Sequence, residues 1–363
     1  MDLERLYAHL PIFLQNAAVS AQGLNINRWR YGGEFERLLA ECIKRQSFDS
    51  KALRVYQGSR LREVLKSAAH TPFWKERFAE YRVDPGGGDP FNEVQKLPVL
   101  TKAEVKSGVD RISNRSLPRR ELVSRHTSGT TGSGLVFTGT RVSEQETWAV
   151  WWRYRLLHGI ARDSWCGYFG GRSVVPANQT KTPFWRTNYA GRQIMFSAYH
   201  LNEKNAPYYL KCLRESKVSW LHGYPSVLSL LASYVVDFSL EPVRSVRMVT
   251  TGAESLSGSQ RSQIERAFGA RITEHYGQAE TVANISECEN GSLHVDEDFS
   301  LVEFEEMNKA PGRYRIIGTN WVNHAFPLFR YDTGDLATMG SGVSCSCGQN
   351  GSIVSQIDSS IED

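Results

Sequence analysis

From about residue 122 onward, short β-branched and aromatic runs alternate with stretches of helical periodicity, and that alternation constrains the fold more than any other feature. Residues 135–138, 174–175, 246–250 and 314–318 read as strands with helical segments between them. Elements that alternate in this way bury a sheet beneath helices, so the expected class is α/β. The first 120 residues differ. Leu61, Val64, Leu65, Ala68 and Ala69 recur at helical spacing with charged residues between them, as in amphipathic packing helices. Residues 85–90 form a loop by their Pro and Gly content. Residues 97–102 lead into a further helix, with Thr101 as N-cap and Glu104 completing a capping box. Trp148, Trp151, Trp152 and Tyr154, again at helical spacing, read as core or pocket wall. The expected division is a helix-rich part over 1–120, an α/β part over 121–357 and a short tail over 358–363.

A chain of 363 residues can bury a sizeable core. Its net charge of +4 suits an anionic small substrate, and no dense Lys/Arg stripe argues for nucleic acid. The first residues are charged, and the apolar stretch after them is broken by Pro11, Gln15 and Asn16. That excludes a signal peptide or membrane span there and points to the cytoplasm. Six cysteines in a chain this long do not make a disulfide scaffold.

Residues 127–134, Thr-Ser-Gly-Thr-Thr-Gly-Ser-Gly, lie between two strand-like runs, 121–126 and 135–138. Glycine lets a backbone turn tightly with its N–H groups toward an anion, and the hydroxyls add donors for phosphate oxygens. No Lys-Ser/Thr follows, so the loop is not a Walker A motif, nor is it a dinucleotide-binding turn. By composition alone it is a phosphate cradle or an ordinary loop.

Ser128, Gly129, Thr130, Thr131 and Gly132 together resemble the phosphate-gripping loop of the adenylate-forming enzymes, which include acyl- and aryl-CoA ligases. Gly134 and Val136, where many members carry Pro and Lys, resemble the branch of phenylacetate–CoA ligase and its capsular-polysaccharide relatives. Further segments follow in the family's order. Residues 220–226, Trp-Leu-His-Gly-Tyr-Pro-Ser, precede a helix expected over 227–236, and the resemblance makes His222 and Tyr224 part of an acid pocket, together with Gly252. Gly252, Ala253 and Glu254 look like the loop that approaches adenine. Tyr276, Gly277 and Glu280 resemble the Tyr-Gly-x-[Thr/Ser]-Glu motif, which implies an aromatic ring on adenine and a carboxylate for Mg²⁺. Ala279 departs from it by lacking the hydroxyl. Asp335, in Tyr-Asp-Thr-Gly-Asp, resembles the carboxylate that receives both ribose hydroxyls. The chain's front segments 10–16, 31–33 and 97–102 also look like the start of the polysaccharide-type relatives.

Cys288, His294, Cys345 and Cys347 supply three thiols and one imidazole. They are either a closed Cys₃His zinc site, structural rather than catalytic, or free thiols beside a histidine. Some members of the branch carry zinc on this pattern, which favours the metal. At the other end, Ser359 and Ser360 stand at the family's Gly-Arg hinge positions. The resemblance therefore implies the large N-terminal domain of an adenylate-forming enzyme, layered α/β with a helical front, without the small C-terminal domain and with 358–363 as a hinge remnant.

The implied activity is ATP- and Mg²⁺-dependent activation of a small carboxylic acid, with Glu280, Thr130 and Thr131 as catalytic residues. Transfer to CoA or another acceptor would then need a C-terminal domain or partner. A catalytically reduced nucleotide- or acyl-binding protein of a biosynthetic pathway is the alternative, and a zinc-stapled scaffold a third. Relatives are often dimeric, which makes a homodimer an expectation.

Overall fold

The computed structural model describes residues 3–127, 134–340, 345–349 and 351–358, and the tail residues Ser359 and Ser360 lie outside them. The class is mixed α/β, as the alternation implies. Helices α1 (Leu3–His9), α2 (Ile12–Arg30), α3 (Phe35–Arg45), α4 (Ser50–Ala68), α5 (Pro72–Glu80), α6 (Pro90–Gln95) and α7 (Lys102–Ile112) precede the first strand. Side chains start several of them. Asp49 accepts from Ala52 N, Thr71 accepts from Trp74 N, and both halves of the Thr101–Glu104 capping box are formed. Pro90, assigned to a loop by composition, is instead the first residue of α6, where its missing N–H costs nothing.

Two compact units form, each from two separate stretches of chain. The first takes the stretch up to Trp29 together with Arg155–His275. Its sheet runs β8 (Arg271–Gly277), β7 (Met248–Thr251), β6 (Val218–Gly223), β3 (Trp165–Phe169), β5 (Gln193–Phe196) and β4 (Trp185–Asn188). All pairs are parallel except β4 with β5. Residues 174–175 are no strand, because Pro176 follows and can donate nothing to a ladder. Helices α9 (Ala206–Glu215), α10 (Pro225–Asp237) and α11 (Gly258–Phe268) cover one face, burying Tyr209, Leu213, Leu228, Leu231, Ile264 and Phe268 against Phe169, Leu221 and Val249. Helix α2 straps β4 through polar contacts. Gln15 Oε1 accepts from Arg186 Nε at 2.5 Å, Asn16 Oδ1 accepts from Thr187 N at 2.9 Å, and Asn27 donates to the Ala190 carbonyl at 2.7 Å.

The second unit takes Arg30–Tyr154 and the chain from Tyr276 onward. A hairpin of β1 (Leu122–His126) and β2 (Val136–Thr140) brackets the Gly/Ser/Thr loop. An antiparallel sheet runs β11 (Ser300–Met307), β12 (Ala310–Asn320), β13 (Tyr331–Met339), β14 (Ile353–Asp358), β10 (Leu293–Val295) and β9 (Asn284–Glu287). Its core holds Ile285, Leu293, Val295, Ile316, Ala337 and Val354. Among the described residues, no helix is long and apolar enough to cross a membrane.

Helix α8 (Arg141–Leu157) ties its part of the second unit together with charge. Trp148, Trp151, Trp152 and Tyr154 lie on it, with Trp152 and Tyr154 in the core and Trp151 Nε1 donating to Asn284. Arg153 donates to Asp298 at 2.8 and 2.9 Å, to Asp296 at 2.7 Å and to the Cys42 carbonyl at 3.0 Å, while Arg45 donates to Asp298 at 2.7 Å. Burial pushes the Asp298 carboxyl up, but the two guanidiniums pull harder and hold it at about 2. Its stabilising contribution is thus complete above the ordinary carboxylate range and is lost as pH falls toward 2. Removing that carboxylate takes the acid partner from buried Arg45 and leaves buried Arg153 with Asp296 alone. Asp298→Ala should cost about 3–5 kcal/mol in chemical denaturation at pH 7; a loss below about 1 kcal/mol would show that the network is not holding these elements.

Candidate functional site

In the first unit, the candidates sit at the carboxyl ends of parallel strands. Tyr168, His222 and Thr250 are register neighbours across β3, β6 and β7. His222 Nδ1 lies 2.9 Å from Thr250 Oγ1. Burial, then the charges of Arg155 and His275, push the imidazole down to about 3, so it is neutral at physiological pH. Tyr224 is the N-cap residue of α10, with Pro225 at the first helical position. Its hydroxyl packs on Gly171, where a Cβ would come within 2.6 Å. Gly252 follows β7, and a Cβ there would press on the His275 carbonyl oxygen at 3.3 Å. Ala253 adopts a left-handed backbone, φ 67°, and Glu254 accepts from Ser226 N at 3.1 Å. Glu254 therefore meets the N-terminus of α10, where a carboxylate is stabilised.

In the second unit, Tyr276, Gln278 and Asp335 form one hydrogen-bonded group. The Tyr276 hydroxyl donates to Asp335 Oδ2 at 2.7 Å. Gln278 Nε2 donates to the same oxygen at 3.1 Å and to the Tyr276 hydroxyl at 2.7 Å. Burial and the neighbouring Asp335 charge keep Tyr276 a phenol. The β12–β13 register shifts opposite residues 333–335, and Gly334 takes φ 80° there, which redirects the strand at Asp335. Gly277 ends β8.

Glu280 is buried three residues further on. The Asn320 side chain donates to its carbonyl at 2.9 Å, and Thr281 takes φ 61°. Gly318 of β12 lies so close that a Cβ would fall 2.1 Å from the Val282 carbonyl oxygen; only glycine permits this approach. Burial raises the Glu280 carboxyl, Lys102 and Arg125 draw it down, and Asp335 raises it further. A desolvated carboxylate repelled by a second one is a place where a cation relieves a cost.

The cysteine–histidine group also comes together in the second unit. Cys288 follows β9 at the turn into β10, which carries His294, and Cys345 and Cys347 lie between β13 and β14. Their four donor atoms all lie within 4.8 Å of one another. Cys288 and Cys345 sulfurs are 3.8 Å apart, and Cys347 Sγ is 3.4 Å from His294 Nε2. Bonds of about 2.3 Å to sulfur and about 2.0 Å to nitrogen put tetrahedral edges at about 3.8 and 3.5 Å, so the donor set fits one zinc ion.

Ser128, Gly129, Thr130, Thr131 and Gly132 lie outside the described residues. Sequence reasoning missed Gln278, whose spacing two residues after Tyr276 was the available signal. It also missed Lys102 and Arg125 as charges acting on Glu280, and no local pattern announces them.

The family description "AMP-binding enzyme" matches residues 92–303. The chain is 28% identical to Protein CapK of Staphylococcus aureus over 334 residues, covering 92% of this chain and 72% of CapK. It is 24% identical to phenylacetate-coenzyme A ligase of Thermus thermophilus over 335 residues, covering 84% of this chain and 69% of the ligase. The fold is similar to that of 2-hydroxyisobutyryl-CoA ligase, solved in the postadenylation state in complex with R3-HIB-AMP. That match has TM-score 0.65 and 17% identity, and covers 88% of this chain and 69% of the ligase. The same ligase in complex with 2-HIB-AMP and CoA matches with TM-score 0.64 and 19% identity, over 88% of this chain and 70% of the ligase. With more than half its length matched by the family description, the chain belongs to the AMP-binding, adenylate-forming enzymes, on the branch of CapK and phenylacetate-coenzyme A ligase.

Proposed function

We propose that this chain activates a small carboxylic acid with ATP, releasing pyrophosphate and forming an acyl adenylate for transfer to CoA or another acceptor. The observation that carries this reading is the Tyr276–Gln278–Asp335 group with Glu280 close by in sequence, in a chain of the AMP-binding family. A carboxylate oxygen of the acid attacks the α-phosphorus of ATP. The bond from that phosphorus to the bridging oxygen breaks, and pyrophosphate leaves with the electron pair.

Such a transfer needs positioning and charge neutralisation more than covalent chemistry. Asp335 receives the ribose hydroxyls, held in orientation by Tyr276 and Gln278. Tyr276 and Gly277 contact adenine. The backbone and hydroxyls of Ser128, Gly129, Thr130, Thr131 and Gly132 grip the phosphates, and Thr130 and Thr131 follow the charge that develops there. His222, Tyr224 and Gly252 line the acid site. Glu280 holds Mg²⁺, whose charge offsets that of the phosphates. The fit rests on its oxygen donors and on the burial and Asp335 repulsion that a cation would relieve. Cys288, His294, Cys345 and Cys347 hold structural Zn²⁺, which joins the β9–β10 turn to the segment before β14.

Ala279, without the family's hydroxyl, favours a second reading of this chain as a nucleotide- or acyl-binding protein of reduced activity. Pyrophosphate exchange separates the two. At least one member of a panel of aryl, fatty and amino acids should stimulate exchange, and Glu280→Gln should slow it by about 100-fold or more. ATP binding with no stimulation by any acid would sink the activation reading. Metal analysis tests the zinc independently. Protein purified without chelator should hold about one equivalent of zinc, and Cys345→Ser less than about half; equal and negligible zinc in both would refute the site.

A further inference from the structure

We propose that the acid this chain activates carries an uncharged hydroxyl group, which donates a hydrogen bond to His222 Nε2. The inference rests on the reading of these strand ends as the acid site and narrows the substrate class. The chain passes from β3 through β4 to β5 on one side and returns through α9 to β6 on the other. The order therefore reverses between β3 and β6, and ligands of open α/β sheets lie outside the carboxyl ends at such a reversal. Tyr168 and His222 stand there, paired in register, with ring centroids 5.9 Å apart.

The tautomer of His222 follows from its partners. The Thr250 hydroxyl has one proton, directed at the Leu221 carbonyl at 3.3 Å. Both contacts are hydrogen bonds only when the hydroxyl oxygen accepts from the ring, which assigns the proton to His222 Nδ1, 2.9 Å away. With the ring neutral, Nε2 carries a lone pair. No hydrogen bond to that atom is formed among the described residues, and His222 is half-buried rather than enclosed.

An acceptor aimed into a binding site penalises a ligand that covers it without a donor. The charge nearby decides which donor. The Arg155 guanidinium lies over the Trp220 ring at 5.3 Å, that ring is 6.2 Å from His222, and the Arg155 charge acts on the imidazole. An ammonium donor would be repelled by this cation. An alcohol or phenol would not.

Pyrophosphate exchange with matched acids tests this: 4-hydroxybenzoate against benzoate, 4-hydroxyphenylacetate against phenylacetate, and 3-hydroxybutyrate against butyrate and 4-aminobutyrate. In at least one set the hydroxy acid should have the higher kcat/KM by about tenfold, the worth of one hydrogen bond, and 4-aminobutyrate should be the poorest. His222→Phe should level that pair by raising KM for the hydroxy acid, whereas His222→Gln, which keeps an acceptor, should retain part of the preference. Circular dichroism on both variants establishes that they fold. Should His222→Phe not fold, the preference of the native chain and of His222→Gln still decides. Exchange with several acids but no hydroxyl preference, or a preference that survives in folded His222→Phe, overturns the inference while leaving acid activation intact. Exchange with no acid overturns both.

Discussion

In the second unit, β12 runs so close to the segment after β8 that Gly318 has no room for a side chain against Val282, and Asn320 grips the Glu280 carbonyl. This backbone approach fixes more than one strand contact. It seats Glu280 in a buried position, and β12 in turn pairs with β13, which carries Asp335. The two carboxylates proposed to serve the nucleotide are thus set from neighbouring points on one strand. A larger residue at position 318 would have to displace backbone, which a packed interior resists.

The same unit treats its buried acids in two opposite ways. Asp298 is surrounded by Arg153 and Arg45, its oxygens are satisfied, and its acidity is strengthened. Glu280 is also buried, yet its acidity is weakened, and the Tyr331 hydroxyl approaches its carboxylate at 3.5 Å. Asp298 is compensated by two guanidiniums bonded to it, whereas Lys102 and Arg125 act on Glu280 without overcoming its burial. The first unit shows a parallel contrast. His200 is enclosed beside Ser197, while His222 is held at Nδ1 and is only half-buried.

Much of this was legible in the sequence wherever a signal is local. The capping box at Thr101 and Glu104 formed as written, the helix after Tyr224 begins at Pro225, and the periodic helices before residue 120 are there. The four zinc-type donors, spread over 60 residues of sequence, converge because β9, β10 and β14 are hydrogen-bonded neighbours. What stayed hidden depends on distant pairing. Residues 174–175 have strand-forming side chains but no ladder to join. Lys102 and Arg125 act on Glu280 from more than 150 residues away, and helix α2 meets Arg186 and Asn188, also more than 150 residues along the chain. Side-chain pattern shows which face is buried, not which partner buries it.

The central claim is that Asp335, braced by Tyr276 and Gln278, receives the ribose of a bound nucleotide. Calorimetric titration of the chain with ATP and with 2′,3′-dideoxy-ATP, both with Mg²⁺, tests it most directly. The account predicts that ATP binds about tenfold or more tightly, and that Asp335→Ala erases the difference. Equal affinity for the two nucleotides in the native chain would contradict it.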